Sequence, residues 1–356
     1  MSYISLIQTN GGEIVVGKYL IIILLAASSL FAQAKVGTTG AQFLDQSPSV
    51  TANGMGAVGV TSTTDRGYFY NPATLGLLDC KRVRLSLCPV SPDWPADVKY
   101  YSQAVGAKLI TMDETNPLSL ALSYHAVWLK SGYMTGRSYN QGAGNGTDQG
   151  FSWSDYSHQL TLAMAYSKRI EVSGGLTCKL IHEVGAGRSA NGVAFDLGGL
   201  VRIPMDALFS ADSGSTDLSR IRLDVGLSVS NFGPDLEFID REYPLPRMWR
   251  GGIGVNIQVA SLTVYPAIQI DRDYYGHYQH HFGFEADLHH AVAGRIGTYQ
   301  VAGDYQGTWG ATVKSAGIYE LLFGRKWLLP FSVEASYAYM ETYFSGGNYY
   351  GIELVL

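Results

Sequence analysis

The stretch 220-RIRLDVGLSVS-230 decides how the chain must be read. Ile221, Leu223, Val225, Leu227 and Val229 share one parity, and Arg222, Asp224, Gly226, Ser228 and Ser230 share the other. A side-chain period of two belongs to a β-strand, and the contrast between the two sets means that its faces meet different media. Residues 329–339, LPFSVEASYAY, repeat the pattern, with Leu329, Phe331, Val333, Ala335, Tyr337 and Tyr339 alternating with Pro330, Ser332, Glu334, Ser336 and Ala338.

Working outward from these two, about fourteen alternating segments are legible, near 81–90, 97–110, 118–129, 157–168, 170–183, 191–203, 220–231, 246–258, 261–271, 280–288, 290–299, 308–318, 329–340 and 347–356. Composition agrees. Charged residues make up 15% of the chain, while Gly reaches 42 and Tyr 24 among 356 residues, a mixture suited to strands, tight turns and aromatic belts. A net charge of −5 without a Lys/Arg cluster gives nucleic acid no phosphate-tracking stripe.

The apolar faces need a partner, either a second sheet in a soluble sandwich or lipid around a barrel. Three observations favour lipid. An even strand number closes a single antiparallel sheet and satisfies every backbone group inside a bilayer. Charges keep parity: Arg84, Lys179, Asp196, Arg202, Arg222, Asp224, Asp271, Glu285, Arg295, Lys314, Glu334 and Glu353 fall opposite the apolar set of their own strands, as a lumen lining requires. Aromatic residues gather near strand ends (Tyr100, Tyr101, Trp128, Tyr166, Trp249, Trp309, Tyr337, Tyr339, Tyr349, Tyr350), where interfacial girdles lie. The fold expected is therefore all-β, a single-chain transmembrane antiparallel β-barrel of about 14 strands with an N-terminal lumenal hatch or plug.

The N-terminus supplies the route. Lys18, the apolar run Tyr19 to Phe31 and Ala32-Gln33-Ala34 read as a signal peptide over 1–34, cleaved after Ala34. The prefix before it is unusual, and translation beginning near residue 15 would remove it. Export then leads to the cell outer membrane, with residues 35–80 as the hatch and 81–356 as the barrel. With the first strand running outward, loops after odd strands are extracellular and long. The third, residues 130–157, complies, whereas the sixth (204–220) and the twelfth (319–329) are longer than a periplasmic turn should be. At the C-terminus, Tyr350, Ile352, Leu354 and Leu356 alternate to the end with Gly351 among them, which resembles the signal read by the barrel-assembly machinery.

The hatch segment contains 53-NGMGAVG-59, with the G-x-G-x-x-G spacing of dinucleotide-binding turns. Its neighbours exclude that reading. No apolar strand precedes Gly54, no helix follows Gly59, and backbone threading a crowded lumen explains the glycines better. Residues 41–76, AQFLDQSPSVTANGMGAVGVTSTTDRGYFYNPATLG, resemble the amino-terminal region of PorV/PorQ-type outer-membrane proteins, among the FadL-like barrels. The resemblance is carried by Phe43, Leu44, Met55, Gly56, Ala57, Asn71, Pro72, Ala73 and Leu75, and continues through 172–183, 193–204 and 225–255.

That resemblance implies a fourteen-stranded barrel plugged by its hatch. It also implies a role in type IX-like protein secretion or surface attachment, with secreted cargo or secretion subunits as partners, or uptake of a hydrophobic ligand as in FadL-like channels. Asn71 and Pro72 would fix a hatch turn through a side-chain hydrogen bond and a set φ. A polar third loop offers no apolar capture surface, although residues 235–246, DLEFIDREYPLP, could contribute one.

Other chemistries are weak. Of the histidines, His277, His280 and His281 sit at one end of a strand and His289 and His290 at the other, about 25 Å apart at roughly 3.3 Å per residue, so they cannot share a metal. Cys80, Cys88 and Cys178 have no metal spacing, G-x-S-x-G and H-E-x-x-H are missing, and no cofactor or enzyme activity is expected. A Ser/His pair involving His125 or His158 at one rim is what an enzyme would need.

Overall fold

The computed structural model describes residues 39–356 apart from 65–66, 79, 81, 89–97, 113–115, 131–133, 139–146, 152–153, 186–187, 206–220, 239–240, 302 and 342–345. The signal peptide, its cleavage point and the question of the start lie outside the described residues.

Fourteen strands close into one antiparallel barrel. They are β1 (Val83–Cys88), β2 (Lys99–Ile110), β3 (Leu118–Lys130), β4 (Ser154–Ser167), β5 (Glu171–Gly185), β6 (Arg188–Pro204), β7 (Ile221–Phe232), β8 (Met248–Val259), β9 (Leu262–Arg272), β10 (Tyr278–Leu288), β11 (Val292–Val301), β12 (Asp304–Lys314), β13 (Ser332–Glu341) and β14 (Gly346–Val355). Each overlaps one of the alternating segments. Neighbours in sequence pair throughout, and β1 pairs with β14, so no edge is left open. Strands β6 and β7 pair directly, so the barrel has no further strand between them, and most of the long sixth connection lies outside the described residues.

Parity does what the sequence demands. Leu160, Leu162, Met164, Ile268, Ile270, Phe282, Phe284 and Ile296 face outward and are exposed, presenting an apolar belt to lipid, while Asp196, Asp224, Arg295 and Glu353 face inward and are buried. Two girdle residues are corrected. Tyr100 and Tyr349 point into the lumen, since consecutive residues of a strand face opposite ways and only Tyr101 and Tyr350 of those pairs face lipid.

A second correction concerns the twelfth segment. Strand β12 ends at Lys314, and Ser315–Phe323 form an α-helix ended by Gly324 in the left-handed conformation at φ 60. Ser315 to Ile318 still read as alternation, but Ile318, Leu321 and Leu322 follow a helical period that shows only over the whole segment. The described part of the third connection contains a short hairpin, Met134–Ser138 with Thr147–Phe151, and the loop between β7 and β8 contains another, Leu236–Phe238 with Arg241–Tyr243.

Candidate functional site

Residues 39–64 and 67–78 lie inside the barrel and are built from short pieces: a 3-10 turn over Gln42–Asp45, the helix α1 (Val50–Gly54) capped by the Ser49 hydroxyl, and 3-10 turns over Gly67–Phe69 and Pro72–Leu77. The helix at Ser315–Phe323 is α2.

The hatch travels around the inner wall. Val50 packs on Gly351 of β14, Gly54 on Gly310 of β12, Met55 and Gly56 on Gly297 and Gly283 of β11 and β10, and Val60 on Gly252 and Gly226 of β8 and β7. Asn71 and Pro72 then meet Gly198 of β6 and Gly175 of β5, and Leu78 meets Gly106 of β2. The segment thus makes nearly a full circuit, from the last strand back to the second, before entering β1. Its track is a belt of lumen-facing glycines. A Cβ on Gly226 would lie 2.5 Å from the Val60 carbonyl oxygen, and one on Gly283 would lie 2.5 Å from that of Met55, so side chains there would push the hatch off the wall. Neighbouring strands bring belt glycines into register, as in Gly175 with Gly198, Gly226 with Gly252, and Gly283 with Gly297.

Side chains of the wall hold this circuit. Thr308 donates to Gly54 O at 3.1 Å and accepts from Gly56 N at 2.8 Å, and His281 Nδ1 lies 2.8 Å from Gly56 O. Gly56 itself takes φ +67, and a Cβ there would lie 2.5 Å from Thr298 O, so the turn after Met55 needs glycine for both reasons. Gln269 Oε1 accepts from the amides of Gly59 and Val60, each at 2.9 Å. Ser228 donates to Tyr70 O and Ser173 to Ala73 O, both at 2.6 Å.

Asn71 joins three elements. It is fully buried. Its Oδ1 caps the following turn by accepting from Ala73 N at 3.1 Å, while Nδ2 donates to Val60 O at 2.9 Å and Gly199 O at 3.0 Å. Pro72 occupies the first position of that turn, where it lacks only an amide the turn does not use.

Above and below the glycine belt, charges are paired wall to wall. Toward the rim that carries the barrel's two chain ends, Arg84 of β1 bonds Glu353 of β14 and Glu334 of β13 across the closing seam, the latter at 2.5 Å. Arg202 meets Asp224 at 2.9 Å and Glu171 at 3.4 Å, Arg222 meets Asp224 at 3.5 Å, Arg295 meets Glu285 at 2.5 Å, and Lys314 meets Asp287 at 2.5 Å. On the other side of the belt, Lys179 meets Asp196 at 2.8 Å and Arg250 meets Asp271 at 3.3 Å. Asn231, at φ 59 in a bulge of β7, receives the Lys179 ammonium at 2.6 Å and gives its amide to Asp196 at 2.8 Å. Asp45 of the hatch faces this tier. Desolvation by the surrounding protein pushes its carboxyl up to about 7, against the pull of Arg250 and Lys179.

The two ends of the lumen differ. At the end away from the barrel's two chain ends, an apolar cluster gathers Phe43 and Leu44 of the hatch, Tyr100, Val127 and Ile181 of the wall, and Leu236 and Leu245 of the loop after β7, which folds inward. Leu236 and Leu245 of the DLEFIDREYPLP segment are fully buried in this cluster. At the opposite end an open cavity of about 730 Å³ is lined by polar and charged groups, among them Lys108, Glu171, Arg202, Arg222, Asp287 and His290. The hatch separates them.

The histidines do not behave as a group. His281 is buried against the hatch and Asp271, whereas His277 is exposed beside Asp273 and His289 and His290 form the turn after β10, both at positive φ. His281, which lies within β10, is thus a hatch anchor. Among the described residues no His, Cys, Asp and Glu cluster could hold a metal ion. Ser102 and His125 do face each other at 2.6 Å, but both are 1% exposed beneath Tyr68 and Phe69, which leaves no room for a carbonyl substrate. His158 lies on the outer face, bonded to Tyr124 at 2.6 Å.

With this geometry in hand, comparison with solved structures is informative. The toluene transporter TbuX of Ralstonia pickettii superposes with a TM-score of 0.52 at 13% identity, over 86% of this chain and 96% of its own. The monoaromatic hydrocarbon channel CymD gives 0.50 at 10% identity over 91% and 97%, and a deltaS2S3 mutant of the channel TodX gives 0.50 at 10% over 86% and 97%. No family model and no curated protein matches the sequence. The likeness is one of fold.

The glycine belt and the anchors Gln269, His281 and Thr308 were missed in the sequence. Parity held the signal, since Gly175, Gly198 and Gly226 all occupy lumen-facing positions near the middle of their strands.

Proposed function

We propose that this protein is an outer-membrane barrel that takes up hydrophobic small molecules at its outer mouth and passes them under control of the hatch. The observation that carries the reading is the apolar cluster of Phe43, Leu44, Tyr100, Val127, Leu236 and Leu245, roofed by an inward-folded loop and floored by the hatch. The cluster is closely packed in this structure, and withdrawing Phe43 and Leu44 with the hatch would bare an apolar surface of the kind a ligand without hydrogen-bonding groups requires. The likeness to toluene and monoaromatic hydrocarbon channels supports the same class of ligand. Outer-membrane lipid surrounds the barrel in this reading, the C-terminal residues Gly351, Leu354 and Leu356 present its strand end to the assembly machinery, and Arg84, Lys179, Asp196, Arg202, Arg222, Asp224, Glu334 and Glu353 keep the lumen wall rigid. The test is uptake of radiolabelled toluene or a long-chain fatty acid by a host lacking its own channels. Leu236→Asp should lower uptake about tenfold or more, since an unpaired buried carboxylate costs well over the 1.4 kcal/mol of one decade. Uptake equal to that of the host without the barrel would overturn the proposal.

A second reading, a PorV-like station for secreted cargo, is favoured by the hatch residues Gly54, Met55, Gly56, Asn71, Pro72 and Ala73, of which all but Gly54 carry the family resemblance and which pack or bond to the wall. Under it the hatch stays closed, and the outer loops receive the partner. Stoichiometric recovery of one secreted protein with the purified barrel, together with no uptake, supports this reading over the first.

A further inference from the structure

The connection between β12 and β13 is not an ordinary short turn. Helix α2 and residues 324–331 form a folded element on the rim that carries both barrel chain ends. Three hydrogen bonds hold it together: Glu320 Oε1 accepts from Trp327 N at 3.2 Å, Trp327 Nε1 donates to Phe331 O at 2.6 Å, and Ser315 Oγ accepts from Val333 N at 2.9 Å. Tyr319 packs on Phe323 and Trp327, with ring centroids 4.9 and 5.3 Å away. Buried Gly317 seats the helix on the turn after β10, where a Cβ would lie 2.5 Å from Ala291 Cα.

What remains bare is apolar. Leu322 is 69% exposed, Phe323 63% and Leu328 87%, with Leu321, Leu329 and Phe331 beside them. A water-facing rim would not carry such a patch. It continues the lipid-facing surface, because Val313 at the end of β12 and Val333 at the start of β13 are outward and exposed. None of its residues lines the polar cavity at this end of the lumen. Arg325 and Lys326, both exposed, stand within the element and complement phosphate charge.

We propose that residues 315–331 are a membrane-interface anchor, lying in the leaflet on the side of the barrel's chain ends, with Leu321, Leu322, Phe323 and Leu328 in the acyl boundary and Arg325 and Lys326 on the phosphates of anionic phospholipid. An in-plane apolar helix flanked by cations and Trp matches the physics of interfacial binding, and the barrel wall beside it sets its depth. The proposal does not depend on what the lumen carries.

The experiment uses the full chain carrying Leu322→Trp, folded into vesicles of phosphatidylethanolamine and phosphatidylglycerol, with emission read as the difference from the parent chain. The added indole is expected to emit to the blue of an aqueous indole and to be quenched by lipid brominated near the top of its acyl chains. Adding Arg325→Glu and Lys326→Glu should reduce that quenching in vesicles rich in phosphatidylglycerol, with heat-modifiable gel migration confirming a folded barrel. Quenching by aqueous iodide but not by brominated lipid would overturn the anchor. So would shielding that appears only when a stoichiometric protein partner is added.

Discussion

Replacing Asn71 by Ala removes a side chain that ties two limbs of the hatch to each other and to the wall. The Ala73 amide loses its cap, and Val60 O and Gly199 O lose a donor 2.9 and 3.0 Å away in a site from which water is excluded. Loss of a cap costs about 1 kcal/mol, and each buried group left unsatisfied costs about 1–3 kcal/mol. Gly199 also lies within the paired β5 and β6, so the low end applies to it, and a total of about 3 kcal/mol is expected. At 1.4 kcal/mol per decade, local opening of the hatch becomes roughly 100-fold more frequent. Hydrogen exchange read by mass spectrometry in micelles should show that acceleration in peptides covering 58–62 and 71–78, while the strands keep their protection. Asn71→Asp separates the parts of the effect. It retains the cap acceptor but sets a carboxylate against two carbonyls, so it should exchange at least as fast as Asn71→Ala. Unchanged exchange in 71–78, or equal acceleration in hatch and strands, would refute the view that Asn71 locks a separable hatch.

Other consequences follow from the same geometry. Gly175→Ala should loosen residues 71–78, because its Cβ would lie 2.5 Å from Pro72 O and overpacking costs about 1–3 kcal/mol, whereas Gly174→Ala, whose Cβ meets nothing within 4 Å, should leave exchange unchanged. Arg84→Met strands Glu353 and Glu334 at the seam, and loss of one partner of a buried pair costs about 3–5 kcal/mol. The temperature of the gel-mobility shift should fall, and adding Glu353→Met with Glu334→Gln should recover most of it. The Asp45 carboxyl, pushed up to about 7 by desolvation, holds its proton in the folded state over a range where the unfolded chain has lost it. Its contribution to hatch stability is therefore complete in acid and lost as pH rises through about 7, so residues 41–46 should exchange faster at high pH after correction for intrinsic rates, and Asp45→Asn should abolish that excess.

The barrel was legible because its information is local. Each strand meets lipid on one face and a polar lumen on the other, so parity within ten residues names the strand, its faces and the sign of its buried charges. Counting fourteen such units then implies closure. The hatch could not be read this way. Its path is set by contacts separated by more than 100 positions, such as Gly56 with Thr308 and Asn71 with Gly199, and no local period reports them. Only chemistry that is local in itself came through: Asn71-Pro72 announces a capped turn, and Gly54 and Gly56 announce close backbone approach without saying to what. Tyr100 and Tyr349 show the limit from the other side, since aromatic residues near a strand end read as a girdle until parity assigns them inward.

The division of forces inside the lumen bears on both functional readings. Among the described residues every lumenal ion pair joins wall to wall: Arg84 with Glu353, Lys179 with Asp196, Arg202 with Asp224, Arg250 with Asp271, Arg295 with Glu285. From Val50 to Leu78 the hatch is held instead by glycine packing and hydrogen bonds, nearly all to neutral partners such as Thr308, Gln269, Ser228 and Ser173. Neutral hydrogen bonds contribute about 1 kcal/mol each and exchange readily with water, while breaking a buried ion pair costs several times that. Among the described residues no strand-to-strand ion pair includes a hatch side chain, so displacing the hatch leaves those pairs in place. A hydrophobic uptake channel requires that separation, since its gate must open without unzipping the barrel. A receiving station for secreted cargo requires the wall alone to be rigid, and in that case the glycine belt, which brings backbone against backbone over most of the circumference, is what keeps the plug shut.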